Sequence, residues 1–123
     1  MPVLTQGLRP TGHYLVSEAN GFRSREVGVI ASGSGKLDAG AVLGQVTATK
    51  KFKPLAPAAS DGTQNAAAIL YEACDATSAD VRRTITARHA EVQAAVLVWP
   101  AGATDNQKTA ALAQLAALGI ASR

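Results

Sequence analysis

Residues 40–75 read GAVLGQVTATKKFKPLAPAASDGTQNAAAILYEACD, and the fold turns on how they are read. A short apolar segment, Val42-Leu43-Gly44-Gln45-Val46, runs into a polar loop, and the chain returns as a second apolar segment from Ala66 to Cys74. Both are short and rich in β-branched or small residues, so they read as strands of one compact β domain. Gly44, inside the first, signals a bulge or a close backbone approach. Between them, Lys50-Lys51-Phe52-Lys53 is basic, and Pro54 and Pro57 hold the following stretch extended. Ser60-Asp61-Gly62-Thr63 is a turn in which Asp61 can accept from backbone N–H groups.

Working outward, residues 25–31 (REVGVIA) make a first strand and residues 41–47 a second, with the Ser32-Gly33-Ser34-Gly35 break between them. Residues 68–74 read as the central strand, around Ile69 and Leu70. In residues 81–88, Arg83, Ile85 and Ala87 fall on one face and Arg82, Thr84, Thr86 and Arg88 on the other. Residues 91–99 read as one long strand with large apolar groups on both faces towards its end. Arg88-His89-Ala90 links these two, and Trp99-Pro100 ends the second. Thr104 is an N-cap with Gln107 as its capping-box partner, which places a helix over residues 105–118 and Gly119 just past its end. Lys108, Ala111, Leu112, Leu115, Ala116 and Leu118 form its stripe, to be packed near Trp99.

Residues 1–21 are punctuated by Pro2, Gly7, Pro10, Gly12 and Gly21, which resists a helix. Two readings stay open: a frayed end, or an arm that gains order by adding to a partner's sheet edge. Arg9, Tyr14, Phe22, Arg23 and Arg25 are the contacts such an arm would offer.

Composition sets bounds. At 123 residues the chain is one domain. It is 47% apolar but only 4% aromatic and 17% charged, so large core side chains are few and part of the surface is expected to be buried against partners. The net charge of +3 is no nucleic-acid signature. One cysteine excludes an intrachain disulfide framework. No stretch is long and apolar enough to cross a membrane, no secretory signal is visible, and folding in the cytoplasm is the default expectation.

Chemistry-bearing patterns are weak. Ser32-Gly33-Ser34-Gly35-Lys36 fails as a phosphate loop, because Ile30 stands where a glycine is needed and Leu37 where Ser or Thr is needed. His13 and His89 are far apart and have no ligand spacing with Cys74, Glu72 or Glu91, so no metal site, cofactor site or catalytic residue is expected. Cys74 reads as a small buried hydrophobe. The basic Lys50–Lys53 patch, with one aromatic, supports an alternative reading as a small nucleic-acid-binding or tail/adaptor assembly β-domain.

The run Asp61-Gly62-Thr63 before Ala66-Ala67-Ala68-Ile69-Leu70, then Thr84-Ile85-Thr86 through Arg88-His89-Ala90 to Val96-Leu97-Val98-Trp99-Pro100 and the Thr104-led helix, resembles the head decoration proteins of lambda-like tailed bacteriophages. The resemblance covers residues 40–120. It implies a mainly β fold, a β-tulip-like small domain with one carboxy-terminal helix and a flexible amino-terminal arm. It implies a capsid-binding arm at residues 1–23 and a single β-rich domain at 24–123. Trp99 and Pro100 would mark the junction of sheet and helix, with Ile69, Leu70, Leu112 and Leu115 as structural core. The implied function is structural, not enzymatic: a homotrimer on the outer surface of the expanded capsid, at local threefold sites, binding the major capsid protein and resisting internal DNA pressure. The implied location is the virion, after synthesis in the host cytoplasm, with no membrane and no direct nucleic-acid contact.

Overall fold

A computed structural model describes residues 11–19 and 23–123. Ten strands and one helix follow in chain order: β1 (Leu15–Glu18), β2 (Arg25–Ile30), β3 (Gly35–Leu37), β4 (Val42–Gln45), β5 (Phe52–Pro54), β6 (Ala66–Leu70), β7 (Cys74–Ala76), β8 (Val81–Thr86), β9 (Ala90–Val92), α1 (Asp105–Ala117) and β10 (Ile120–Ser122). Strands β2, β5, β4, β6 and β8 close into a barrel in that order. Strands β1, β9 and β10 form a second sheet, and β3 and β7 a two-stranded ribbon. The fold is mainly β with one helix near the carboxy end, as the patterning predicts.

The two expected strands of the 40–75 stretch pair directly. β4 and β6 run antiparallel, with Val42 opposite Ile69 and Leu43 opposite Ala68, and the register shifts at Gly44. That irregularity has a steric cause. A Cβ on Gly44 would lie 2.5 Å from the Thr63 backbone, so only glycine lets the 60–63 turn press onto the strand. The turn is fixed by Asp61, whose Oδ1 accepts from Thr63 N at 3.0 Å and from Thr63 Oγ1 at 2.5 Å. Those bonds hold the Asp61 carboxyl below its ordinary pKa.

Both faces of β4 and β6 are covered. Leu43, Ala68 and Leu70 point into the barrel with Ile30, Phe52, Cys74 and Ile85. Val42, Ala66 and Ile69 point outward, into a second cluster with Tyr14, Leu55, Val92, Leu97, Ala111, Leu115 and Ile120. Helix α1 contributes only Ala111 and Leu115 as fully buried residues, with Leu112 and Trp99 packed against the same cluster. The stripe is narrower than expected, for Leu118 is exposed. Both reciprocal hydrogen bonds of the Thr104/Gln107 capping box are present, and Gly119 takes a φ of 85° just past the helix end. Gln114 adds a tie that periodicity cannot show: its Oε1 accepts from Ala66 N at 2.7 Å, securing the end of β6 to the helix.

Three expectations need correction. The central strand does not run to Cys74. It stops at Leu70, the chain turns through Tyr71-Glu72-Ala73, and β7 starts a separate ribbon. The long strand over residues 91–99 is also absent. β9 ends at Val92, a 3-10 turn occupies Ala94–Val96, and Val98 rejoins the barrel by a single bridge to Ala41. Its two-sided apolar pattern arises because the chain passes from one cluster to the other, with Leu97 in the outer cluster and Val98 against the barrel. Finally, the two faces of residues 81–88, with arginines and threonines alternating, read as a half-solvated strand, yet β8 is open only at its start, since Ile85 and Thr86 are both buried.

The largest departure lies near the amino end. Residues assigned to the arm form β1, paired antiparallel with β9. Tyr14 is fully buried, and its hydroxyl hydrogen-bonds Thr86 Oγ1 at 2.5 Å. Burial holds the Tyr14 phenol neutral and raises its pKa.

Two outcomes check these contacts. Gly44→Ala should destabilise the protein by about 2 kcal/mol, because the clashing neighbour is backbone and cannot swing aside; urea unfolding measures it, and an unchanged midpoint would contradict the close approach. For Tyr14 the folded pKa is raised above the unfolded value of 10.0, so its stabilisation is intact below pH 10 and falls as pH rises beyond it. The wild type should lose about 1.4 kcal/mol more than Tyr14→Phe between pH 9 and pH 11 by denaturant titration. Equal losses would show the phenol to be solvated.

Candidate functional site

The residues singled out as arm contacts divide sharply in space. Arg9 and Phe22 lie outside the described residues. Tyr14 and Arg25 are brought together, but as an internal anchor. Arg25 faces Thr86 across the β2–β8 ladder, and Thr86 is the partner of the Tyr14 hydroxyl. The Arg25 guanidinium grips Glu18 of β1 through two hydrogen bonds, Nε to Oε2 at 3.2 Å and Nη2 to Oε1 at 2.5 Å. It also sits 4.3 Å from the centroid of the Tyr71 ring. Its pKa is raised, chiefly by the hydrogen bond to Glu18. Tyr14 therefore presents no side chain to a partner, and the Arg25 guanidinium is engaged in holding β1 to β2. Arg23 alone among the described members of the set is exposed, and its carbonyl accepts from Arg88 Nη1 at 2.9 Å.

The same anchoring continues along β1. Ser17 Oγ donates to Glu91 Oε1 at 2.8 Å, and Glu91 Oε2 accepts from Arg123 Nε at 2.5 Å. These two contacts, Ser17 first, pull the Glu91 carboxyl below its ordinary pKa. Ser24 Oγ donates to His89 O at 2.7 Å and accepts from Ala19 N at 2.8 Å, closing the loop that leads from β1 to β2. Residues 12–19 thus form a firmly held root. Sequence reasoning missed that root because its partners are some 70 residues away, as with the separation of 72 between Tyr14 and Thr86.

The Lys50–Lys53 patch loses its aromatic member. Phe52 is buried in the barrel and cannot stack on a base. Lys51 Nζ pairs with Asp80 Oδ2 at 2.7 Å, and Asp80 Oδ1 accepts from Ser32 N at 2.7 Å. The patch is part of a stitch between β5, the 32–35 loop and the start of β8, which counts against the nucleic-acid reading. It also uses one backbone amide of the glycine-rich loop that a phosphate would need. Arg83 donates to Ala73 O, and Arg88 pairs with Glu26 at 3.3 Å, so these basic groups are likewise engaged by neighbours on the surface of the chain.

A cleft of about 820 Å³ lies between the end of α1 and the barrel rim. Several of its polar side chains are engaged within the chain: Glu26 with Arg88, Gln45 with Lys50 O, and Gln114 with Ala66 N and Asn65. His89 also lines it. Among the described residues no three His, Cys, Asp or Glu side chains are placed to hold a metal ion. His13 and His89 are apart: His13 Nε2 lies 3.3 Å from Val96 O, while His89, at a φ of 51°, turns the corner from β8 to β9. Cys74 is buried and burial raises its thiol pKa, the reverse of an activated nucleophile. No helix among the described residues is long and apolar enough to cross a membrane.

Of the core and junction residues, Ile69, Leu70 and Leu115 are fully buried, and Trp99, Pro100 and Leu112 are half-buried. Among the described residues the exposed large apolar groups are Val27, Val16 and Leu118, with Val27 the most open at 59%. Two loops at one end, residues 54–60 and 99–104, carry no charge, and Leu55, Pro57, Pro100 and Ala103 line a shallow groove between them.

No curated protein matches the chain. A family model described as Bacteriophage lambda head decoration protein D matches residues 3–120, which spans the barrel, the second sheet and the helix. By that match the chain belongs to the bacteriophage lambda head decoration protein D family.

Proposed function

We propose that the protein is a structural, non-enzymatic component of a phage particle, which binds the outer surface of the expanded capsid as a homotrimer at local threefold sites. There it bridges major capsid protein subunits and resists internal DNA pressure. The family match over residues 3–120 carries this reading. The surface supports it through two uncharged loops that flank a shallow groove and through the exposed Val16, Val27 and Leu118.

In this reading the capsid-binding arm lies within residues 1–23, with Arg9, Phe22 and the exposed Arg23 as its contacts and β1 as the part held to the body. The anchored β1 segment transmits load from that arm to the barrel. A clamp needs just such a root, since tension on the arm would otherwise peel the chain from its body. Three copies joined in one body would add three weak arm contacts through effective concentration. Attachment to the expanded shell alone would follow if expansion creates the site.

Two measurements test it. Sedimentation equilibrium of the purified protein should give the mass of three chains, and a single-chain mass at micromolar concentration would contradict the trimer. Co-sedimentation with expanded and unexpanded phage heads should recover the full chain on expanded heads only. Removal of residues 1–10 should weaken that binding by at least about tenfold while leaving the far-ultraviolet spectrum unchanged. Equal binding by the shortened chain would remove the arm from the account.

A further inference from the structure

We propose that the last strand, β10, is a latch for the first strand, β1, so that the order of the chain's leading segment is set from its other end. The two strands never touch as a ladder. They share β9, which lies between them. β1 pairs antiparallel on one edge, with Ser17 opposite Glu91 and Glu18 opposite Ala90. β10 pairs parallel on the other, with Ile120 opposite Ala90 and Ala121 opposite Glu91. No ladder joins this sheet to the barrel.

Beyond β9 the backbone alternates between the two ends of the chain. Gln93 N donates to Tyr14 O at 2.8 Å, and the next amide, Ala94 N, donates to Arg123 O at 3.3 Å. Arg123 N in turn donates to Val92 O at 2.8 Å. One carboxylate serves both sides as well, for Glu91 takes Ser17 on Oε1 and Arg123 on Oε2. Below the sheet, Ile120 and Tyr14 are buried in one cluster with Val92. β9 is only three residues long, and a short strand of that kind is ordered by its neighbours. Loss of β10 frees β9 on one edge and opens the buried cluster, and β1 then loses its own support.

Such a latch gives the leading segment a local opening equilibrium separate from global unfolding. It rests on the capsid-binding reading only for its use, which would be to set how readily the root of the arm yields when a shell captures it.

Amide hydrogen exchange on the free protein tests the latch whether or not that reading holds. Arg123→Ala removes the exposed ion pair to Glu91, whose other carboxylate oxygen still accepts from Ser17 of β1. Amides of residues 16–19 should exchange about two- to fivefold faster in it, and those of β8 should keep their wild-type rate. In a chain shortened to residue 119, the same amides should exchange at least about tenfold faster. Arg123→Ala with residues 16–19 at the wild-type rate, or accelerated no more than β8, overturns the proposal. Should the shortened chain lose protection throughout, the Arg123→Ala result alone decides.

Discussion

The antiparallel ladder between β4 and β6 is the wall on which the rest of the molecule leans. Its barrel face carries Leu43, Ala68 and Leu70, and its outer face carries Val42, Ala66 and Ile69. A chain with so few aromatic residues cannot fill one large core. Here it fills two small ones that share a wall, so each buried methyl group on the ladder serves a thin, tightly packed layer. Small residues make that possible. Gly44 admits the Thr63 backbone, and the alanines of β6 leave room for α1 and the barrel strands on either side. Flanking backbone bonds close the wall at one end: Gly40 N to Leu70 O, Leu70 N to Ala41 O, and Val98 N to Gly40 O, all 2.8–2.9 Å.

Segments from distant parts of the chain are hung from this wall. The outer cluster seats Tyr14 and Ile120 beside each other, and with them both ends of the described chain. Polar side chains act as stitches between segments distant in sequence. Asp80 joins Lys51 to Ser32, and Arg25 joins Glu18 to the Tyr71 face. Exposed pairs such as Lys51–Asp80 each contribute little to stability, but they fix where loops lie. A protein that must hold a surface shape, and do no chemistry, is served by that distribution.

Local signals were legible. The capping box, the αL residue Gly119, the Asp61 turn, the β2 and β4 strands and the close approach at Gly44 are each written in a few adjacent residues, and the structure has them all. What escaped was set by distant partners. Phe52 reads as the aromatic of a basic loop, yet β5 pairs parallel with β2 at Ile30 and turns its ring into the barrel. Residues 93–96 alternate like a strand but coil, because Gln93 N is taken by Tyr14 O, Ala94 N by Arg123 O and Val96 N by the 3-10 turn itself. β10 is three residues after a helix stop, too short to show a period, and its parallel pairing with β9 depends on the chain's return. Tyr14 and Arg25 look like surface anchors in a glycine-rich, proline-rich lead, and only the Thr86 and Glu18 contacts reveal them as an internal one.

Because both cores use the same two strands, global unfolding takes them together, beyond any local opening at β1 and β10. Trp99, the sole tryptophan, reports on the outer cluster, and the backbone amides of β8 report on the barrel. A urea titration followed by Trp99 fluorescence and by amide resonances of residues 83–85 tests this directly. The shared wall predicts one midpoint and one slope for both probes. Loss of the Trp99 signal at a lower urea concentration, with the barrel resonances intact, would contradict it.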